Sequence, residues 1–381
     1  MDTTILLVAT ATQWFGTARM PRDLAQAGWT VALLAPRGTL AEHSRYVQKI
    51  GHLPENATPL QWVHALAAMV KAIEPRLLLP CDDTAFRLMS QLVLAPPDNL
   101  QPSLHLQLAS LIVESIGDPT YYRASIDKTL LCRAAEKLGV LVPRYEVVSD
   151  MAGATAFAAS HTWPVVLKRE HSAAGEGVAV CEDKRSLALE FVRLLDDRSV
   201  TFSDATGRQL LVQEYIPGRT QYYAGTTWRG SLLCGYAVEK LDGDRYGPAS
   251  VVRYYHSPEM EQSATTLAAG FGVTGIIAPE YIIDERSGRL YLIEINRRMT
   301  PGTHRGAIFN MSSAKALMAA LGNVPPSGRV RLDPGEEHIY VSFPHEWLRD
   351  PASPYLRKYP VDAPWDDPHL LAAMIATRPK R

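Results

Sequence analysis

The polar side chains best suited to chemistry lie on an apolar stretch at 290–306, LYLIEINRRMTPGTHRG. Glu294, Asn296 and Arg298 occupy alternate positions, and side chains two apart on a strand share a face. The intervening positions of the same run are apolar: Tyr291, Ile293 and Ile295. The pattern predicts a strand that packs one face into a core and presents a carboxylate, an amide and a guanidinium on the other.

A second strand-like run precedes this one, GIIAPEYIID at 275–284, and ERSGR between the two has the composition of a turn. The two runs predict a β-hairpin. With its turn centred on Ser287, Glu280 and Glu294 would face each other about 5 Å apart, which is destabilising unless a cation lies between them. Such oxygen ligands suit Mg²⁺ or Mn²⁺ shared with a phosphate. The hairpin alone favours this hypothesis and a solvated strand face in another register about equally.

Length and charge set the broad class of protein. A chain of 381 residues predicts two or three domains. The net charge of −1 does not point to nucleic acid or an anionic membrane surface as the main partner. No run of about 18 apolar residues that could span a bilayer occurs, and MDTTILLVATATQW predicts a first core strand rather than a signal peptide.

The four cysteines are widely scattered and form no zinc or disulfide pattern: Cys81, Cys132, Cys181 and Cys234. Reduced thiols fit a cytoplasmic location best, and this is the predicted location.

The first hundred residues predict an open α/β sheet. Strand candidates at 5–9 and 29–35 flank a helix candidate at 17–27 that Gly28 ends, and a helix at 59–73 leads into an apolar strand at 76–80. The first turn, ATATQWFG, lacks the glycines of a dinucleotide fingerprint, so NAD binding is not predicted. Cys81, Asp82 and Asp83 follow a strand, where such sheets often place ligands, although helix capping is the favoured role of Asp82.

A helix is predicted to start at Ser125 as its N-cap and to stop at Gly139, with an apolar stripe between them. Lys128 falls in its first turn, where the helix dipole disfavours a cation. Either this lysine reaches solvent, which is the better explanation for Lys128 taken alone, or it is held there to meet an anion.

Two further stretches have weak binding signals. WPVVLKREHSAAGEGVAV at 163–180 predicts strand, loop and strand, with Lys168 at the edge of a small-residue loop, Ser172 to Gly177, that could cover a polyphosphate or be a plain flexible hairpin. LLVQEYIPG at 210–218 is a strand that breaks at Pro217 and Gly218, where the backbone could meet a flat heterocycle or simply turn.

Taken in order, SIDKTLLCRAAEKLGVLVP, VVLKREHSAAGEGV, LVQEYIPG, APEY and LIEINRR resemble the successive nucleotide-binding motifs of the ATP-grasp superfamily, over about residues 110 to 310. The resemblance implies α/β and α+β architecture: a pre-ATP-grasp α/β domain at 1–110, a first grasp module at 111–215, a second at 216–325 and a C-terminal extension at 326–381.

The resemblance also implies roles for individual residues. Arg298 and Lys168 would be catalytic, with Arg298 steadying an acyl-phosphate, and Glu280, Glu294 and Asn296 would bind Mg²⁺ or Mn²⁺. The remaining expected ATP contacts are phosphate, loop, hinge and ribose positions: Lys128, Ser172, Gly175, Gly177, Gln213, Glu214, Tyr215, Ile216, Gln221 and Lys240.

Two departures from the family pattern leave choices open. After Gly218 many relatives have an acid for the ribose, whereas this chain has Arg219, Thr220 and Gln221, so Thr220 and Gln221 are alternatives. The last motif reads EINRR rather than EINPR, and strand alternation favours Arg298 over Arg297 as the residue that points into the site. Lys240 and Arg253 lie where relatives place further phosphate or substrate contacts, and exposed cations are the common alternative.

The reaction that the resemblance implies is ATP-dependent phosphorylation of a carboxylate, followed by attack of an amine on the acyl-phosphate. The partners are then small carboxylate and amine substrates, without nucleic acid or membrane, and a homodimer is the default assembly. A bicarbonate-phosphorylating carboxylase-like enzyme and a non-catalytic nucleotide-binding module are the alternatives. His304, Arg305 and Asn310 form a candidate substrate loop in which Arg305 either holds a carboxylate or is merely exposed.

The C-terminal extension contains one strand-like run, at 338–343, among Pro, Trp and charged residues. It is predicted to wrap the grasp domain or an oligomer partner.

Overall fold

The computed structural model describes residues 3–169, 177–196, 209–243 and 249–377. The chain divides into two compact units, each treated by itself below. Unit 1 comprises Met1–Tyr121, Tyr222–Ala278 and Asn296–Arg381, and unit 2 comprises Tyr122–Gln221 and Pro279–Ile295. The four sequence-based domain boundaries stay predictions.

Fifteen strands are present in the described residues: β1 (Thr4–Val8), β2 (Thr30–Pro36), β3 (Lys49–Leu53), β4 (Leu77–Pro80), β5 (Tyr145–Val148), β6 (Val165–Arg169), β7 (Val178–Cys181), β8 (Leu210–Glu214), β9 (Gly218–Trp228), β10 (Ser231–Gly243), β11 (Ala249–Tyr255), β12 (Gly275–Asp284), β13 (Leu290–Asn296), β14 (Glu337–Ser342) and β15 (Val361–Asp362). The α-helices of the described residues are α1 (Phe15–Gln26), α2 (Pro59–Ile73), α3 (Asp83–Leu94), α4 (Pro102–Ile116), α5 (Lys128–Lys137), α6 (Met151–Ala159), α7 (Lys184–Asp196), α8 (Pro258–Gly270), α9 (Ser313–Leu321), α10 (His345–Arg349), α11 (Tyr355–Lys358) and α12 (Pro368–Ala376). Short 3-10 helices lie at Leu40–His43, Pro119–Tyr121 and Thr303–Phe309.

A four-stranded parallel sheet in the order β3-β2-β1-β4 forms the start of unit 1. β1 and β4 are buried throughout, which explains their continuous apolar sequences. α1 packs Met20 and Leu24 into the same core as Ile5 and Leu33. The predicted open α/β sheet is confirmed.

The sheet order reverses between β1 and β4, because β2 and β3 lie on one side of β1 and β4 on the other. Open α/β sheets bind ligands at the carboxyl ends of strands at such a point. Here Asp82 accepts hydrogen bonds from the backbone N–H of Ala85 at 2.8 Å and of Thr10 at 2.6 Å. Asp82 therefore caps α3, as predicted, and also ties down the loop after β1.

Unit 2 contains a second sheet, which is antiparallel and has the order β5-β8-β6-β7. Val165 and Leu167 of β6 pack on one face against Phe157 of α6 and Phe191 of α7. Since strand residues alternate, Lys168 belongs to the opposite face of β6.

The helix that carries Lys128 begins later than the sequence predicted. α5 starts at Lys128, and its N-cap is Asp127, whose carboxylate accepts from the N–H of Leu130 at 2.9 Å. Ser125 instead lies in the preceding turn, where its N–H donates to the carbonyl of Tyr122. Asp127 is the N-cap because it lies three residues before Leu130, whose backbone N–H has no acceptor within the helix. The predicted stop at Gly139 is confirmed, with a φ of 74° that favours glycine.

The remaining strands form a seven-stranded sheet in the order β13-β12-β9-β10-β11-β14-β15. In unit 1, β11 pairs antiparallel with both β10 and β14, and β14 corresponds to the strand-like run predicted in the C-terminal extension. In unit 2, the hairpin of β12 and β13 closes with the N–H of Asp284 donating to the carbonyl of Arg289 at 2.9 Å.

The C-terminal extension is held by carboxylates that meet cations of unit 1. Asp362 of β15 contacts Arg19 of α1 at 2.8 Å, and Asp366 contacts Arg22 at 2.8 Å. Leu370 and Met374 of α12 are buried against Ala18 and Leu40. The extension thus packs against the parallel-sheet part of its own unit. None of the described helices is long and apolar enough to cross a bilayer.

Candidate active site

Four charged side chains of unit 2 act on one another although they are far apart in sequence. Burial and the ammonium of Lys128 lower the pKa of Lys168 to about 8, against the opposing effects of Cys132, Glu294 and Glu280. Both predicted phosphate-binding lysines and both predicted metal-binding carboxylates therefore contribute to the electrostatic environment of Lys168.

Both lysines are unusually well buried for cations. Lys128 is 6% exposed in the first turn of α5, and Lys168 is 8% exposed on β6. The helix N-terminus disfavours the Lys128 charge, and the two ammonium groups repel each other. An anion placed beside them would relieve both penalties, whereas solvent, the alternative for Lys128 taken alone, reaches only 6% of this residue.

The two carboxylates lie on the hairpin of β12 and β13 and are half-buried. The closing hydrogen bond between Asp284 and Arg289 centres the turn between Arg286 and Ser287 rather than on Ser287. If this register continues along the hairpin, Glu280 lies opposite Ile293 rather than Glu294, so the closing hydrogen bond does not support the predicted direct opposition of the two carboxylates. Both carboxylates act to raise the pKa of Lys168, against the effects of its burial and of Lys128.

The donor set suits a hard divalent cation. Asn296 follows Glu294 by two positions on β13, so both side chains leave the strand on one face, and the amide is buried. No group of three or more His, Cys, Asp or Glu residues able to hold a metal occurs within the described ranges. The two carboxylates of unit 2 match the sparse protein ligation of Mg²⁺, which keeps waters and shares phosphate oxygens, and the part of Asn296 in unit 1 stays a prediction.

A segment without regular structure, Tyr215–Pro217, connects β8 and β9. The N–H of Glu214 donates to the carbonyl of Arg144 at 2.9 Å, whereas the N–H groups of Tyr215 and Ile216 have no partner in the part of the chain that is described. Gly218 is required there, because a Cβ would lie 2.0 Å from the carbonyl oxygen of Ile283. Within the described residues, these two N–H groups are thus unused backbone donors, which hydrogen bonding to a heterocycle requires.

Gln213 and Cys132 belong to the same face of unit 2 as Lys168. The buried amide of Gln213 donates to the Cys132 sulfur at 3.5 Å, and Gln213 lies opposite Val166 on β6. Sequence reasoning did not single out Cys132, since nothing in its local pattern distinguishes it from a core residue of α5.

The adjacent arginines after β13 lie in different environments of unit 1. Arg297 is 4% exposed, donates to the carbonyl of Ile116 at 2.5 Å and stacks over Phe86. Arg298 forms a two-point ion pair with Asp83 and stacks over Trp14, with its side chain 14% exposed. Only Arg298 is accessible to a ligand, which supports the choice that strand alternation favoured.

The candidate substrate loop is not organised to bind substrate through Arg305. This arginine is 3% exposed, and its guanidinium donates to Asp362 at 2.8 Å, to the hydroxyl of Tyr254 at 2.7 Å and to Ser342 at 3.0 Å. Neither sequence alternative, a substrate contact or an exposed arginine, is correct, because Asp362 supplies a buried partner from far along the chain.

The two other members of that loop also have structural roles. His304 shares Asp362 with Arg305 at 2.8 Å. Asn310 ends a 3-10 helix in the left-handed conformation, at a φ of 62°.

The fold of this chain is similar to the folds of several solved structures. The biotin carboxylase domain of Hydrogenobacter thermophilus 2-oxoglutarate carboxylase, solved as a dimer with MgADP, ADP and bicarbonate, matches with a TM-score of 0.66 at 15% identity over 89% of this chain and 74% of that one. Campylobacter jejuni biotin carboxylase matches with a TM-score of 0.68 at 14% identity, over 88% and 74% of the two chains.

A third match is the ADP complex of Staphylococcus aureus N5-carboxyaminoimidazole synthetase, with a TM-score of 0.62 at 12% identity over 89% of this chain and 82% of that one. The chain has the ATP-grasp fold. No protein-family model matches the sequence.

The predicted nucleotide contacts of this chain differ in burial, and some of them lie outside the described residues. Ser172 and Gly175 lie outside the described residues, whereas Gly177 is buried, and its carbonyl accepts from the N–H of Arg169 at 2.8 Å. Gln221 is 7% exposed and Thr220 is exposed, so the two candidates for the ribose differ in accessibility.

Lys240 and Arg253 belong to unit 1. Lys240 is half-buried on β10 opposite Val252. Arg253 is paired with Glu239 and, at 3.0 Å, with Glu337, so its charge is already compensated. The role of Lys240 in nucleotide binding stays a prediction.

Lys168→Met is expected to stabilise the protein at the expense of its function. Because the folded-state pKa of Lys168 is about 8 and the ordinary value is 10.5, the charged lysine penalises folding fully below pH 8, and the penalty disappears as pH rises to 10.5. Urea denaturation at pH 6.5 should show a gain of about 3 kcal/mol in the free energy of unfolding that vanishes near pH 10.5. Lys137→Met, at an exposed position of α5, should show no such gain. Equal stability of wild type and Lys168→Met at pH 6.5 would contradict the buried charge.

Proposed function

We propose that this protein is an ATP-dependent ligase that phosphorylates a small carboxylic acid and couples it to an amine, releasing ADP and phosphate. The observation that carries the proposal is that unit 2 buries two lysines, Lys128 and Lys168, and holds Glu280 and Glu294 half-buried on the hairpin of β12 and β13. Cations for the phosphates and carboxylates for the metal are what a complex of a polyphosphate with a divalent cation requires.

Each group has a distinct part in the proposed reaction. Lys128 and Lys168 bind phosphate oxygens and neutralise charge on the transferred phosphoryl group. Glu280, Glu294 and Asn296 would hold Mg²⁺, which when bound compensates charge on the β- and γ-phosphate oxygens. Arg298 binds the oxygen atoms of the acid and its acyl-phosphate through a bidentate edge.

The chemical steps are balanced without any further reagent. A carboxylate oxygen attacks the γ-phosphorus of ATP, the bond to the β-phosphate oxygen breaks, and ADP leaves. The amine nitrogen then attacks the carbonyl carbon of the acyl-phosphate, the carbon to oxygen bond breaks, and phosphate leaves with that oxygen. The amide nitrogen loses its proton to water.

The bound ligands of the similar structures support the nucleotide part of this proposal. MgADP and ADP accompany the H. thermophilus domain, and ADP accompanies the S. aureus synthetase. In unit 2, the backbone donors of Tyr215 and Ile216 and the side chain of Gln213 would contact the adenine. The dimer of the H. thermophilus domain supports a homodimer, and the four buried, free cysteines fit a cytoplasmic location.

A second candidate is phosphorylation of bicarbonate. The H. thermophilus domain was solved with bicarbonate, and the other two similar structures are also named for carboxylation chemistry. This alternative differs from the first in its dependence on co-substrates, because bicarbonate alone would then stimulate ATP turnover.

The proposal is tested by measuring ADP and phosphate release with Mg²⁺ and ATP in a matrix of acids and amines. A ligase releases both products at its full rate only when an acid and an amine are present together. Stimulation by bicarbonate alone would favour the second candidate. ADP release under no combination, with the protein folded and monodisperse, would exclude both enzymatic functions and favour a non-catalytic nucleotide-binding module.

A further inference from the structure

The helix α4 of unit 1 is fixed to the parallel sheet along one side. Leu108, Ile112 and Ile116 are buried on that side. The hydroxyl of Ser115 accepts a hydrogen bond at 2.8 Å from the N–H of Leu78 in β4. The opposite side of the helix is therefore held in a defined position at the surface of the protein.

Four residues of the outer side of α4 form what we call the α4 face: Leu106, Ala109, Ser110 and Val113. They lie together because their spacing of i, i+3, i+4 and i+7 follows the helical repeat. Leu106 is 71% exposed, Ser110 is exposed, and Ala109 and Val113 are half-buried. The face thus presents aliphatic surface around one prominent leucine.

The α4 face is free of formal charge. No Asp, Glu, Lys or Arg occurs between Gln101 and Val113. The first charged residue after the face, Glu114, pairs with Arg229 at 2.9 Å. Because a solvated helix face ordinarily carries charged side chains, this composition indicates a surface that another molecule covers.

The helix α7 of unit 2 is an example of a solvated helix face in the same chain. Leu189 and Val192 of α7 are 64% and 56% exposed. Arg185 and Arg193, each one helical turn from Leu189, are exposed as well. The exposed leucine of α7 therefore lies among charged side chains, and α7 provides the matched control for α4.

The α4 face is complementary to itself. Its side chains run large, small, small, large from Leu106 to Val113, and this order is the same in both directions about the midpoint between Ala109 and Ser110. Two copies of α4 that cross antiparallel at this midpoint place Leu106 of each copy against Val113 of the partner subunit. The small central residues let the two helix axes approach closely.

This symmetry favours a second copy of the chain over a different protein as the occupant. A two-fold contact sets each surface against an identical surface, so a face without charge avoids like-charge repulsion. A face that binds a different protein requires no such palindromic order of side chains.

We infer that the α4 face binds the α4 face of a second copy of this chain, as an antiparallel two-fold helix pair. The inference assigns a surface to the homodimer proposed above and does not depend on the proposed reaction. One helix face covers less than the area of about 800 Å² per subunit that is typical of stable interfaces. The dimer is therefore weak and reversible, with a Kd in the micromolar range.

Sedimentation velocity of the full chain over about 1 to 100 µM tests the association. We expect the weight-average sedimentation coefficient to rise with concentration from that of a monomer towards that of a dimer. Leu106→Glu should weaken the association about a hundredfold or more, because each dimer would bury two carboxylates without partners. Leu189→Glu makes the same change at a similarly exposed position of α7 and should leave the Kd unchanged.

Disulfide trapping locates the two-fold axis. All four native cysteines are buried, so an engineered surface cysteine is the accessible thiol. Ser110→Cys lies beside the axis and should form a covalent dimer under mild oxidation, because a disulfide spans Cα atoms about 4 to 7 Å apart. Ala372→Cys, at an exposed position of α12 in unit 1, should stay monomeric under the same conditions.

Several results would overturn the inference. Wild type that stays monomeric over the whole concentration range would do so, as would equal changes of the Kd in Leu106→Glu and Leu189→Glu. A dimer that survives Leu106→Glu, while Ser110→Cys forms no disulfide, would place the contact on another surface. Trapping through Ser110→Cys does not depend on Leu106→Glu, so the inference is tested even where that variant fails to fold.

Discussion

Glu294→Gln is expected to lower metal-dependent ADP formation about 10³-fold while the protein stays folded. The change removes a ligand charge and almost no volume from a half-buried strand position. Metal ions contribute several kcal/mol to charge stabilisation in phosphoryl transfer, and about 4 kcal/mol corresponds to this loss of rate. Steady-state ADP release at saturating Mg²⁺ and ATP, with circular dichroism as the check on folding, measures the effect.

The hairpin provides a matched control for this substitution. Glu285 is exposed in the turn between β12 and β13, so Glu285→Gln makes the same chemical change on the same hairpin and should leave turnover intact. Full activity of Glu294→Gln would refute the metal assignment. A similar loss in both variants would mean that the hairpin, and not the ligand, had been damaged.

Asp362→Asn is expected to destabilise the protein by about 3 to 5 kcal/mol, because breaking a buried ion pair leaves uncompensated charge. Burial alone would raise the pKa of Asp362, but His304, Arg305 and Arg19 outweigh it and lower that pKa well below its ordinary value. Burial meanwhile lowers the pKa of His304 to about 4, so the imidazole is neutral and donates through Nε2. Asparagine would leave two buried guanidinium groups, those of Arg19 and Arg305, without their shared anion.

Asp366→Asn is the control in the same C-terminal extension. Asp366 pairs with Arg22 at 2.8 Å and accepts from the hydroxyl of Tyr46 at 2.6 Å, but the Arg22 side chain is 46% exposed. Loss of a solvent-exposed pair costs about 1 kcal/mol or less. Urea denaturation of both variants at pH 7 measures the difference, and an Asp362→Asn variant within 1 kcal/mol of wild type would show that this cluster is not needed to hold the extension.

The sequence predicted correctly those helices and strands whose start, end and burial are encoded in their own residues. α2 has Thr58 as N-cap with Gln61 in a capping box and Pro59 in its first turn, and the predicted span of 59–73 is the observed one. β3 had no such signal, because most of its residues are partly exposed at a sheet edge and do not form an apolar run. A strand shows an apolar run in its sequence only where it is buried, so strand propensity alone does not make a strand predictable.

In the candidate site, too, the sequence predicted features within one strand better than contacts between residues far apart in the chain. The predicted alternation on β13 is followed only in part, because Leu292 and Asn296, on the same face as Glu294, are buried, whereas Tyr291 and Ile293 are half-buried. The partners of Arg298 and Arg305 could not be predicted, since Asp83 is 215 residues from Arg298 and Asp362 is 57 residues from Arg305. Pairing over such distances depends on tertiary contacts, for which a single sequence contains no local signal.

The measurement that tests the central claim most directly follows oxygen from the acid to phosphate. The protein is incubated with Mg²⁺, ATP, an amine pool and acids labelled with ¹⁸O in their carboxylates, and the released phosphate is analysed by mass spectrometry. An acyl-phosphate intermediate predicts one labelled oxygen in each phosphate, together with an amide product of matching mass. Release of ADP with unlabelled phosphate, or no ADP in any mixture, would contradict the account.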